Sequence, residues 1–244
     1  MLKRFCIAAA AAILLSCTAT KPNISAPPSG VQPPQQTTSP RLPPAEVPAA
    51  GNYRIDSSRS ELRLLVYRAG ALANLGHNHV ILNRSVNGSI SVAPTLGASS
   101  FSLSTAVAAF IVDDSQARSE EGEDFPGDVP DGAKSGTWNN MTGPAVLNSV
   151  QYPVISMRSV RLEELQGTLT ATVAVSVAGH ESTVSVPFVL KKEVYGLSAS
   201  ASFELRQTAL GMTPFSLMLG ALAVRDAMQV KLKVIAQPQA PREL

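Results

Sequence analysis

The sequence predicts an all-β domain: an eight-stranded antiparallel barrel with short helical insertions, set behind an export leader and a Pro-rich tether. Three observations carry that expectation. From Tyr53 onward, apolar and polar residues alternate with the two-residue period of half-buried strands, and Gly, Asn and Pro mark the turns. Only the stretch between Val112 and Tyr152 breaks that alternation. The first fifty residues contain nothing that could build a core.

The leader is residues 1–17. Lys3 and Arg4 precede an apolar run from Phe5 to Leu15, too short to span a bilayer as a helix of about 20 residues and typical of a cleaved export signal. Leu14-Leu15-Ser16-Cys17 resembles the bacterial lipobox, which implies acyl chains on Cys17. Two acyl signals suffice for stable anchoring. Thr18 follows where an inner-membrane retention signal shows Asp, so an outer-membrane lipoprotein facing the periplasm is expected if the source is Gram-negative. Cys6 leaves with the leader, and with Cys17 acylated no thiol remains for a disulfide, a metal or nucleophilic chemistry.

Residues 18–50 are Pro, Ser, Thr, Gln and Ala, centred on "APPSGVQPPQQTTSPRLPPAEVP", and cannot bury enough apolar surface to fold. As polyproline II they would reach on the order of 100 Å. Residues 51–240 are enough for one sizeable domain. The formal net charge of the whole chain is +2 and no basic patch is interleaved with aromatics, which excludes nucleic acid as the partner.

Within the domain, "ELRLLVYRAG" sets Leu62, Leu64 and Val66 against Arg63, Leu65 and Tyr67. "VNGSISVAP" and "FSLSTAVAAFIV" follow. "DDSQARSEEGEDF" and "SGTWNNMTGPAVLNSV" read as short helices and loops, with Glu120, Glu121, Glu123 and Asp124 on a solvated helix end lacking calcium-loop spacing. In "TLTATVAVSVAG", Leu169, Ala171, Val173, Val175 and Val177 share one face. "STVSVPFVLKK", "LSASASFELRQT" and "AMQVKLKVIA" complete the set. Two short helical pieces cannot cover the apolar face of about eight strands, so closure on itself is favoured over a sandwich. A barrel of eight strands holds side chains or one small ligand. Small inward candidates (Ala106, Ala108, Ala171, Ala174, Ala199 and Ala201) leave room for a ligand along strands of about 30 Å.

Four stretches, "YRIDSSRSELRLLVYRAG", "GSISVAP", "NNMTGPAVLNSVQYPVISMRSVRL" and "FELRQTALGMTPFSLMLGALAVRDAMQVKLKVIA", in this order from Tyr53 to Ala236, resemble the YceI family of lipocalin-like, polyisoprenoid-binding bacterial proteins. The resemblance implies an eight-stranded barrel with helical insertions and an isoprenoid or other chain lipid in its lumen, with no other cofactor. The chain departs from the family's usual pattern at "GHNHV", at Met157 and at Ala209-Leu210.

The expected ligand-binding residues are Leu64, Val66, His77, His79, Phe101, Met141, Phe203, Phe215 and Leu217. The segment Met212 to Leu222 is read as closing one end of the cavity. His77 and His79 lie on one strand face and shape the mouth, hold a headgroup, or, with His180, form a three-histidine metal site for an enzyme or redox accessory. No G-x-S-x-G turn and no phosphate-cradling glycine motif occurs, which leaves hydrolase and nucleotide chemistry unsupported. The leading expectation is a membrane-tethered periplasmic carrier or sequestering protein for an isoprenoid lipid. A solid-packed structural lipoprotein is the remaining alternative, and the pattern leaves monomer and homodimer open.

Overall fold

The structure, a computed structural model, describes residues 48–239. The leader, Cys17 and nearly all of the tether lie outside the described residues. In chain order the strands are β1 (Gly51–Ile55), β2 (Glu61–Val66), β3 (Arg68–Ala69), β4 (His79–Asn83), β5 (Asn87–Val92), β6 (Ser100–Ala106) and β7 (Phe110–Val112). Helices α1 (Ser115–Ser119) and α2 (Asp131–Thr142) follow. Then come β8 (Val154–Leu165), β9 (Thr168–Val177), β10 (His180–Pro187), β11 (Val189–Glu193), β12 (Gly196–Arg206), β13 (Ser216–Leu217), β14 (Leu222–Val224) and β15 (Ala227–Pro238).

Strand β15 is the spine. One edge pairs with β12, from Leu197 opposite Ala236 to Arg206 opposite Ala227. Its other edge takes β1 and β2 in succession, Tyr53 opposite Pro238 and Leu65 opposite Gln229. Those two strands form one bent run, broken by a 3-10 turn at Ser57–Arg59 and pinned where the Ile235 amide donates to the buried Ser60 hydroxyl at 3.0 Å. Beyond β1 the ladder continues through β5, β6, β8, β9 and β10, and beyond β2 through β4 and β7. Two tight hairpins use the left-handed pairs Gln166-Gly167 and Ala178-Gly179, the turn whose twist matches that of paired strands.

The expected antiparallel all-β architecture is present, but with a different strand count and without the expected hydrogen-bonded closure into a barrel. The main sheet has twelve strands, and its hydrogen-bonded path ends at β10 on one side and β7 on the other. β11 follows β10 directly in the chain but pairs with β12. Pro187, whose nitrogen cannot donate, ends β10, and the Phe188 amide makes the last bond to this side, to the Leu169 carbonyl at 2.9 Å. The apolar faces still meet around one interior, because a single buried cluster draws on β1, β2, β4 to β10, β12 and β15.

The outer face is not uniformly solvated. Leu65, Val80, Leu82, Ala117 and Phe125 form a second buried cluster where α1 and the acidic segment lie over β2 and β4. Glu120, Glu123 and Asp124 are exposed as expected, but Glu121 is not. The Glu121 side chain is only 3% exposed and pairs with Arg63 and with Lys231. Arg63 also takes Glu61 and Glu120, so an outward arginine of β2 holds the acidic segment against the sheet. Burial alone would lower the Arg63 pKa, but its hydrogen bonds to Glu121, Glu61 and Glu120 outweigh it and raise the value.

Candidate functional site

Alternation puts Leu62, Leu64 and Val66 of β2 on the interior face, as expected. The interior retains a cavity of about 480 Å³ lined almost entirely by apolar side chains. That volume falls in the ~300–1,000 Å³ range of pockets for small amphiphiles and drug-sized ligands. All nine expected residues border it: Leu64 and Val66 on β2, Phe101 on β6, Phe203 on β12, Met141 on α2, Phe215 and Leu217 from the segment before β14, and both His77 and His79. The cavity also removes the solid-packed alternative. Among the six alanines read as inward, Ala171, Ala199 and Ala201 border it, whereas Ala106, Ala108 and Ala174 do not. Ala174 belongs to the outward face of β9, one residue out of phase with Val173 and Val175.

One end of the cavity is polar and open. Arg68 and His77 are exposed yet border it, and Leu217 is 47% exposed. Tyr67, His79, Thr137 and Asn140 complete this mouth. Helix α2 supplies Thr137, Asn140 and Met141, and the small sheet β13-β14-β3 folds over from the other side. The expected closing role of the segment from Met212 corresponds to that sheet.

His79 is held from behind by a network absent from the sequence reading. Its Nδ1 lies 2.7 Å from Asp113 Oδ2, and Asp113 is fully buried. Asp113 Oδ1 accepts from the Val80 amide at 2.9 Å and from Arg118 Nη1 at 2.7 Å. Arg118, itself only 3% exposed, donates further to the carbonyls of Asn78 and Gly127. Burial alone would push the Asp113 carboxyl up. Hydrogen bonds from His79 and the Val80 amide, with the charges of His79 and Arg118, outweigh it and hold the carboxyl below its ordinary 3.8. An ionised carboxylate accepts, so Nδ1 carries the proton and donates to it. Nε2 is left facing the cavity mouth, 3.2 Å from the Thr137 hydroxyl. A neutral His79 there accepts a hydrogen bond, and a protonated one donates.

The three-histidine metal set is not brought together. The rings of His77 and His79 are 6.1 Å apart at the mouth. His180 starts β10 on the exposed surface, beside Gly211, and does not border the cavity. Among the described residues no group of three or more His, Cys, Asp or Glu side chains is placed to hold a metal ion. Both ring nitrogens of His79 are engaged besides, with Asp113 and with Thr137. No local spacing marks Asp113, Arg118 and Thr137 in the sequence, since Asp113 stands 34 positions beyond His79.

Among protein families, the YceI-like domain matches residues 53–236. The chain belongs to the YceI family. Its members bind hydrophobic ligands and are not an enzyme family. Burkholderia cenocepacia BcnA superposes with a TM-score of 0.55 at 14% identity, covering 74% of this chain and 98% of its own. A Campylobacter jejuni YCEI protein covers 66% of this chain and 85% of its own, at 9% identity and a TM-score of 0.45. At 14% identity the likeness to BcnA is one of fold. No curated protein matches the sequence. His77, His79, Met157 and Leu210 all border the cavity.

Proposed function

We propose that this YceI protein is a membrane-tethered periplasmic binding protein, a lipoprotein anchored through Cys17 in the outer membrane, that carries or sequesters an isoprenoid or similar chain lipid. The observation that carries the reading is the largely apolar cavity of about 480 Å³ with Arg68, His77, His79, Thr137 and Asn140 at its open end. That polarity suits an amphiphile: the chain inside, and a hydrogen-bonding headgroup against His77, His79 and Thr137. Each buried five-carbon unit contributes roughly 3–4 kcal/mol at ~0.8 per CH₂. A few units offset an association cost of about 4–15 kcal/mol. No covalent step is needed, and the seven apolar residues among the nine expected act by shape and transfer free energy.

The test is native mass spectrometry of the protein taken from its membrane in mild detergent, followed by fragmentation of any bound mass. The expected result is one bound species of several hundred daltons that fragments as an isoprenoid. A stoichiometric metal with no lipid would overturn the reading.

A further inference from the structure

Next to the mouth, three large apolar side chains stand together in solvent. Leu75, Met218 and Leu219 are 70%, 71% and 109% exposed. They lie on two loops packed backbone to backbone: the Leu72 amide donates to the Ala221 carbonyl at 2.8 Å, and β3 pairs with β14 between them. Met218 and Leu219 both adopt left-handed backbone, with φ of 50° and 58°. Gly or Asn would take that conformation without the steric cost. The two tight hairpins elsewhere place Gly in their second left-handed position. Here two bulky apolar residues occupy it and present their side chains to solvent.

Charge separates this patch from the rest of the surface. Residues 212–224 and 70–76 contain no ionisable side chain. They are flanked by Arg68 and by Arg225, whose guanidinium lies 5.5 Å over the Tyr67 ring. The neighbouring Asp226 carboxylate is occupied by the Thr208 amide and hydroxyl. The patch also continues into the cavity, since Phe215, Leu217 and Leu222 border it. The chain enters the domain at the opposite end of β15: β1 pairs near Pro238, while the mouth lies near Ala227, roughly 35–40 Å away at ~3.4 Å per residue.

We infer that this two-loop tip docks on an anionic lipid bilayer, with Leu75, Met218 and Leu219 entering the acyl boundary and Arg68 and Arg225 meeting lipid phosphates. The cavity mouth then opens onto the membrane, and a chain lipid passes between bilayer and interior without crossing water. The inference deepens the lipid-carrier reading by naming its exchange surface. It requires apolar penetration of about 5–10 Å, as for other interfacial segments.

The test uses the full chain reconstituted in phosphatidylethanolamine–phosphatidylglycerol vesicles, with the native Trp138 signal as baseline. Leu219→Trp adds a reporter at the tip. Val194→Trp adds one at the β11–β12 turn, an equally exposed apolar site near the far end. Lipids brominated along the acyl chain are expected to quench the added tip signal about threefold and the added Val194→Trp signal hardly at all. Replacing both Met218 and Leu219 with Asp is expected to slow lipid exchange with acceptor vesicles and leave the lipid already bound unchanged. Equal quenching at the two positions overturns docking, whether or not lipid occupies the cavity. Quenching confined to the tip in a protein that carries no lipid keeps docking and removes the carrier reading.

Discussion

Replacing Asp113 with Asn tests whether the buried carboxylate is what fixes His79 and the loops behind the mouth. Asn keeps the shape, tolerates the left-handed backbone found there (φ 53°), and leaves one oxygen for the Val80 amide. The substitution removes the charge and turns the group facing His79 Nδ1 from acceptor to donor, so His79 must switch tautomer to keep that contact. Arg118, 3% exposed, is left without its counter-ion at 2.7 Å. Removing one member of a buried pair costs about 3–5 kcal/mol. Because Asn78 and Gly127 carbonyls still accept from Arg118, the lower end applies, about 3 kcal/mol. In a domain of this size that lowers Tm by roughly 6–12 °C. The pH dependence supplies an independent sign. The folded pKa of Asp113 lies below 3.8, so its contribution is complete above that value and is lost as pH falls through the folded one. Thermal and urea unfolding followed through Trp138 at pH 7 and in acid measures both. A variant that melts within about 2 °C of the parent at pH 7, or a gap that fails to narrow in acid, refutes the argument.

Two further outcomes follow from the same packing. Ala201→Phe places a ring in the cavity, so co-purified lipid should fall several-fold while stability changes by less than about 1 kcal/mol, because the ring enters space rather than a filled core; mass spectrometry and melting curves read the two effects separately. Gly88→Ala should cost more than about 2 kcal/mol in the urea midpoint, since φ is +141° and a Cβ would sit 2.0 Å from the Ser102 carbonyl oxygen, forcing β5 from β6.

Sequence periodicity by itself determined the all-β class, the inward faces of β2, β6, β9 and β12, and hence the side chains around the cavity. The reason is geometric: successive strand residues point to opposite sides, so a local pattern reports which set is buried. Periodicity could not report what covers the other set. Leu65, Val80 and Leu82 face outward and are buried because α1 and Phe125 lie on them. Glu121 looked solvated until Arg63 and Lys231 came within reach. Only the tertiary structure joined Asp113 and Arg118 to His79 across 34 residues and left His180 apart from both other histidines. It also divided the expected run "STVSVPFVLKK" after Pro187. Each of these depends on contacts between segments distant in the chain, whose partners no local spacing encodes; the alternating pattern chose the faces, and long-range packing chose the company each face keeps.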